Sequence, residues 1–320
     1  MTARAKYLLA AKVLLSIALL GVVLRSVHPA AILRALSEAD FVLVLAWYAL
    51  YPIIVWLSAW RWELLAPGLS LSMALKYTWI GIFFGHVLPG AIAGDVAKGL
   101  SLALKEERAR KGLAASIVAE KAIGLAALLL FFDIACAVVW NLYGEALRDV
   151  RNLAVIALVL SLLAIAAGTA AMMFAHAVSR RSAAWQPSGM MLLVRRLGDA
   201  IEFYRADPAV LAKAFLISCV IHVINIVAFY LSFRALRIDA GMPFAAVVYP
   251  VVSVILLIPI SISGIGVRDA TLAVLFSLFG LPPASGVAVS WLNLIAMIPN
   301  TIIGGLTQLY EMYRSNEPTT

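Results

Sequence analysis

The fold is decided by an apolar stretch that breaks in its middle. The break reads GHVLPGAIAGDVAK at residues 85–98, and it interrupts an apolar run that extends from Leu71 to Leu104. The arm on each side is too short to cross a bilayer, because a crossing takes about twenty residues of helix. We therefore predict a segment that enters the membrane and returns to the same side.

A second apolar stretch, Pro243–Gly280, is interrupted in a similar way. Its break reads PISISGIGVRD at residues 259–269. Both breaks follow the pattern Pro-x4-Gly-x3-cation, which ends at Lys98 in the first and at Arg268 in the second. The arms of the second stretch are longer, so two full spans are an alternative to a re-entrant segment.

Six further runs are long and apolar enough to be full spans. They are Tyr7–Val27, Asp40–Ala59, Leu113–Trp140, Leu153–Ala175, Leu211–Phe233 and Ala284–Leu309. The composition agrees, since 64% of the 320 residues are hydrophobic and 13% are charged.

Three of these spans lie between the two breaks. Because this number is odd, the second broken segment is predicted to be inverted in the membrane relative to the first. The predicted fold is all-α: a polytopic membrane protein with about six full transmembrane helices and two broken, re-entrant segments in inverted repeats.

The predicted organisation is a single membrane domain over residues 1–320. Its first half covers about 40–140, its inverted second half covers about 209–310, and a polar loop covers about 179–208. Basic residues cluster before the first span, after the first break and in that loop. The positive-inside rule therefore predicts that these regions and both termini lie on the cytoplasmic side of an inner membrane. The net charge of +8 then reflects loops, and we expect no nucleic-acid partner.

Two cations stand where a helix begins. Lys98 and Arg268 fall in the first turn after their breaks, which is the unfavourable end for positive charge. Basic side chains beside helix N-termini make a site for phosphate, so we predict an anion there. The alternatives are that the two cations extend to the interface, or that they pair with Asp95 and Asp269.

The residues around the breaks complete the predicted substrate-binding set. Besides Lys98 and Arg268, the set contains Asp95, Asp269, Glu120, Gly94, Gly264, Gly266, Ser263 and His86, and Asp95 is also expected to cap a helix. His86 either lines a cavity or satisfies a carbonyl of the broken helix.

Glu120 lies inside a predicted span, where a carboxylate costs about 2.5–3.5 kcal/mol. It is a candidate partner for Lys98 or Arg268, and proton coupling is an alternative role. The four histidines are scattered and the two cysteines lie in apolar runs. We therefore expect no catalytic residue, no metal site and no cofactor.

These segments resemble the membrane region of lysylphosphatidylglycerol synthase/flippase proteins. The resemblance covers about Tyr7 to Tyr310, and it is carried by residues 85–98, 119–121, 259–269 and 292–305. It implies a membrane domain that moves aminoacylated phospholipid between leaflets, with aminoacyl transfer in a separate soluble domain. Because the chain ends at Thr320, we expect that synthase domain to be missing.

The resemblance also implies a range of cargo. Stand-alone relatives are tied to polyprenyl-phosphate sugars and to hopanoid-type lipids. This sequence has Lys98 where Arg is frequent in the family and Asp269 where Glu is frequent. Both residues keep the charge, but Lys98 cannot bind a phosphate through two nitrogens and Asp269 has a shorter side chain.

The predicted function is a lipid flippase that moves an anionic phospholipid or a polyprenyl-phosphate-linked head group, with its phosphate held by Lys98 and Arg268. The alternatives are a membrane-embedded transferase that uses a lipid-phosphate donor through Asp40 or Glu63, a small-solute transporter, and a scaffold for lipid synthesis. The expected partners are the anionic lipid or lipid-linked substrate, the surrounding membrane lipids and an enzyme of lipid synthesis.

Overall fold

The architecture was analysed in a computed structural model, which describes residues 29–66, 68–87, 93–105, 113–143, 155, 159, 207–257, 261 and 263–315. Nine helices lie in these residues, and no strand does. The helices are α1 (Pro29–Ser37), α2 (Phe41–Leu65), α3 (Leu71–Val87), α4 (Ala93–Lys105), α5 (Leu113–Tyr143), α6 (Pro208–Ala235), α7 (Met242–Leu256), α8 (Val267–Leu278) and α9 (Pro283–Ser315).

Four of these helices are long and apolar enough to cross a membrane. They are α2, α5, α6 and α9, which match four of the six predicted spans. Large apolar side chains on them are exposed in the protein, among them Leu216 on α6 and Leu306 on α9. Such exposure suits a surface that faces lipid. The all-α membrane fold is confirmed, while the predicted spans Tyr7–Val27 and Leu153–Ala175 lie outside the described residues, apart from two isolated positions.

The start of α2 is fixed by a carboxylate. The Oδ1 atom of Asp40 accepts the backbone N–H of Val42 at 2.9 Å and that of Leu43 at 3.2 Å, which is the geometry of an N-cap. The end of α2 differs from the prediction, because the helix continues past Ala59 to Leu65. The predicted span stopped before Arg61 and Glu63. Arg61 nevertheless lies within the helix, and Glu120 neutralises its charge.

Each of the two broken stretches forms a pair of short helices, α3 and α4 in the first and α7 and α8 in the second. The arms of the second stretch, α7 and α8, have 15 and 12 residues. At 1.5 Å per residue they reach about 22 and 18 Å, against a hydrocarbon core of about 30 Å. Their lengths favour a re-entrant segment over two full spans.

The described residues divide into two compact units. The first unit takes the described parts of Met1–Val55, Lys76–Lys98 and Val223–Thr320, and the second takes those of Trp56–Leu75 and Gly99–His222. Each unit contains segments from both predicted sequence halves, so the boundaries of those halves stay a prediction.

The first unit has an aromatic core where α6, α7 and α8 meet. Phe233, Phe244 and Phe276 form a triangle whose ring centroids are 5.2 to 5.7 Å apart. Edge-on and tilted ring contacts of this kind stabilise packing beyond the burial of area. The core holds the second broken segment against a full-length span.

Candidate functional site

The turn before α8 is built from left-handed backbone. Ser263, Gly264 and Gly266 have φ values of 50°, 76° and 81°, a region that glycine enters without strain. The N–H of Gly266, the residue that precedes α8, donates to Oδ2 of Asp269 at 2.9 Å. The carboxylate of the third helical residue thereby fixes the start of α8.

Arg268 belongs to a buried polar network. Its exposed fraction is 6%, and its Nε donates to the hydroxyl of Ser290 on α9 at 2.9 Å. The same hydroxyl donates to Oδ1 of Asp269. Among the contacts of the described residues, no hydrogen bond reaches the two terminal nitrogens of Arg268, so they keep donors for an oxygen-rich ligand.

The first break depends on a close approach of α3 and α4. A Cβ atom added at Gly94 would lie 2.3 Å from the carbonyl oxygen of Gly81 and 3.0 Å from Cα of Gly85. Only glycine therefore fits at position 94 with this backbone. Small residues allow membrane helices to pack this closely, and here they bring the start of α4 against α3.

Lys98 is buried on α4 with an exposed fraction of 4%. Its Nζ lies 3.7 Å from Oδ1 of Asp95, one turn earlier. Its aliphatic stem lies beside Gly81, since a Cβ there would be 3.2 Å from Cβ of Lys98. The pairing with Asp95 that the sequence left open is confirmed, whereas extension to the interface does not fit such burial.

The two breaks touch each other. The hydroxyl of Ser263 donates to the main-chain carbonyl of His86 at 2.9 Å. That carbonyl lies at the end of α3, where helix carbonyls lack partners. The sequence analysis expected the His86 side chain either to line a cavity or to satisfy a carbonyl of the broken helix, whereas the structure shows Ser263 satisfying the carbonyl of His86 itself. The imidazole Nδ1 lies 2.8 Å from the hydroxyl of Thr301 on α9.

Of the ten predicted site residues, the first unit contains all except Glu120. The predictions that Lys98 and Arg268 bind an anion, and that the residues around the breaks help, stay predictions. Ser290 and Thr301 were missed, because a hydroxyl in an apolar helix has no local signal that separates a site residue from a packing residue.

Glu120 has a partner that the sequence analysis did not consider. Its Oε1 lies 3.0 Å from Nη2 of Arg61 on α2, and the carboxylate residue is 4% exposed. We missed Arg61 because the predicted span ended at Ala59. A cation two residues further on could have been recognised as intramembrane, since such charges usually have a role. The prediction that Glu120 balances Lys98 or Arg268 stays a prediction.

In the described part of the chain, no group of three or more His, Cys, Asp or Glu side chains is arranged to hold a metal ion. The polar groups at the breaks are cations, hydroxyls and helix N-termini, which bind oxyanions, together with the carboxylates of Asp95 and Asp269, which lie beside the cations or cap a helix.

Comparison with known protein families agrees with the membrane fold. The model of the family described as "Lysylphosphatidylglycerol synthase TM region" matches residues 9–304. The chain belongs to this family. The match includes both breaks, Glu120 and all four observed spans up to residue 304 of α9. No curated protein and no solved structure matches the chain with significance.

As a member of the lysylphosphatidylglycerol synthase TM region family, the chain is a multi-pass membrane protein with a lipid-related function. The family name specifies a membrane region.

Proposed function

We propose that this protein moves an anionic phospholipid or a lipid-linked phosphate head group between the two leaflets of the inner membrane. The observation that carries the proposal is the hydrogen bond of 2.9 Å from Ser263 to His86, which joins the two breaks. Broken helices that meet inside a membrane protein are a recurring plan of transporters, with the substrate near the midplane.

The charges at the breaks support an oxyanion as cargo. Lys98 and Arg268 are buried, and each has a carboxylate close by in sequence. An added phosphate would meet the positive charges of Lys98 and Arg268 together with the N-terminal ends of α4 and α8, whose dipoles favour negative charge. The lipid tails would stay in the bilayer while the head group crosses.

Removal of one cation tests the proposal. In proteoliposomes that contain a labelled phosphatidylglycerol, we expect Arg268→Gln and Lys98→Gln each to slow the appearance of the head group in the opposite leaflet by about tenfold or more. The reason is that a charge-assisted hydrogen bond contributes about 1.5–3 kcal/mol. Glutamine keeps a polar side chain of similar length and limits the damage to packing.

Lys213→Gln is the matched control, because Lys213 is an exposed cation on α6. It should leave the rate unchanged. Equal rates in wild type, Arg268→Gln and Lys98→Gln, with all proteins folded, would contradict the mechanism.

The transferase alternative is weakened by one contact. The carboxylate of Asp40, one of its two nominated residues, is occupied as the cap of α2. Formation of a new lipid product by the purified protein in detergent would nevertheless favour a transferase over a transporter.

A further inference from the structure

A second buried charge cluster lies inside the second unit, on α2, α5 and α6. The guanidinium of Arg61 donates through Nη2 to Glu120 at 3.0 Å and through Nη1 to the hydroxyl of Ser218 at 2.8 Å. Ser218 is fully buried, and its hydroxyl donates to the carbonyl of Ala214 at 2.8 Å. The cluster therefore places one cation and one anion among three membrane spans.

The guanidinium of Arg61 is not saturated. Its Nε is buried and has no hydrogen-bond partner in the described part of the chain. A buried donor without an acceptor is unfavourable, and it gives Arg61 a reason to bind another oxygen. The edge formed by Nε and one Nη is the edge with which arginine grips two oxygens of a phosphate.

The charge balance decides what must happen when an oxyanion binds there. Arg61 and Glu120 neutralise each other in the structure. An arriving anion that took over the guanidinium would leave Glu120 as a buried carboxylate without its counter-ion. A buried charge that loses its counter-ion is neutralised by a change of protonation.

We propose that Arg61 is an exchangeable oxyanion site, at which the phosphate of a lipid head group or a free oxyanion replaces Glu120 while Glu120 takes up one proton from water. The carboxylate of Glu120 leaves Nη2 and gains an O–H bond, and the oxyanion supplies the negative charge that Arg61 loses. The net charge of the cluster is unchanged. The inference rests on the proposed function for the class of its ligand, but it concerns separate residues and adds a coupling to protons.

Among the described residues, His222 and Lys121 are titratable groups on the helices that carry this cluster. On α6, Nε2 of His222 is 3.2 Å from the carbonyl oxygen of Gly124, one turn along α5 from Glu120. On α5 itself, the neighbouring Lys121 is exposed. His222 is therefore the group whose titration must be separated from that of Glu120.

The test measures binding and proton uptake together, with the full-length protein in maltoside micelles and weak buffer. The probes are phosphatidylglycerol, phosphatidylcholine as the zwitterionic lipid, and methyl sulfate as a free oxyanion whose single negative charge is constant between pH 5 and 8. We expect wild type to take up about one proton for each phosphatidylglycerol bound, and to bind more tightly as the pH falls, by up to about tenfold per unit. Uptake with methyl sulfate as well would identify a general oxyanion site, and uptake with the lipid alone would identify a head-group site.

Glu120→Gln imitates the protonated side chain. It should bind phosphatidylglycerol at every pH as wild type does at low pH, without taking up protons. Arg61→Gln should lose the pH-dependent part of binding. His222→Gln and the exposed-carboxylate control Asp239→Asn should behave as wild type.

The outcomes separate this inference from the proposed function. Equal proton uptake in wild type and Glu120→Gln, or no uptake in wild type, would overturn the inference and leave the transport proposal standing. Transport that does not depend on Lys98 or Arg268 would overturn the transport proposal, while proton uptake through Glu120 would still stand. If Arg61→Gln does not fold, Glu120→Gln decides alone, because glutamine keeps an acceptor for Nη2.

Discussion

At the scale of single residues, Ser290 is the contact that holds Arg268 and Asp269 in one network. Its fully buried hydroxyl accepts from Arg268 and donates to Asp269. We expect Ser290→Ala to lower the free energy of unfolding by about 1–3 kcal/mol, because it leaves a charged donor and a carboxylate each one partner short. The midpoint of thermal unfolding in detergent measures this. Ser277→Ala, which removes an exposed hydroxyl on α8, should change the midpoint little. A midpoint for Ser290→Ala equal to that of wild type would show that the network adds no stability.

The residues that the sequence predicted and those that it missed differ in a physical way. Arg268, Asp269 and Ser263 lie within a local pattern of proline, glycine and charge, so the pattern itself identifies them. Arg61 and Ser290 acquire their roles from partners 59 and 22 residues away. No local rule fixes such a partner, because it depends on which helices pack together.

At the scale of elements, the contact of α3 with α4 depends on one glycine. A Cβ at Gly94 would lie 2.3 Å from a backbone oxygen, whereas one at Gly85 would meet nothing closer than 3.7 Å. We expect Gly94→Ala to force the helices apart and to cost about 1–3 kcal/mol of stability. Gly85→Ala, in the same interface, should be neutral or slightly stabilising, because alanine favours helix. Thermal unfolding of the two variants side by side provides the measurement, and a Gly94→Ala protein as stable as Gly85→Ala would contradict the close packing.

Helix positions were predicted better than helix ends. The span predicted at Leu211–Phe233 is the helix Pro208–Ala235, since a continuous apolar run marks a membrane helix clearly. The arms of the second break are helices of 15 and 12 residues, whereas the sequence left two full spans as an alternative. Hydropathy alone does not set the end of a helix within an apolar stretch, so the sequence did not decide between the two.

At the scale of the whole molecule, contacts within each unit agree with the predicted crossing pattern. In the first unit, the N–H of Asp40 donates to the carbonyl of Ala235 at 2.8 Å, so α2 begins on the face where α6 ends. In the same unit, Lys76 near the start of α3 pairs at 3.1 Å with Glu311 near the end of α9. In the second unit, Leu65 at the end of α2 packs near the start of α6. Each contact joins ends that the count of spans places on the same side of the membrane.

These contacts leave one prediction to be decided, namely which face is cytoplasmic. With Cys136 and Cys219 replaced by alanine, we introduce single cysteines by Glu38→Cys, Asp239→Cys and Met312→Cys, all at exposed positions. The positive-inside rule places the first two outside and the third in the cytoplasm. A membrane-impermeant maleimide should therefore label Glu38→Cys and Asp239→Cys in intact cells whose outer barrier has been removed, and Met312→Cys only after the inner membrane is opened. Glu38 and Asp239 lie beside the ends of α1 and α6, and Met312 lies near the end of α9, so each label reports the side of the membrane on which that helix ends. The opposite labelling pattern would contradict the predicted topology, and each re-entrant segment would then enter the membrane from the other side.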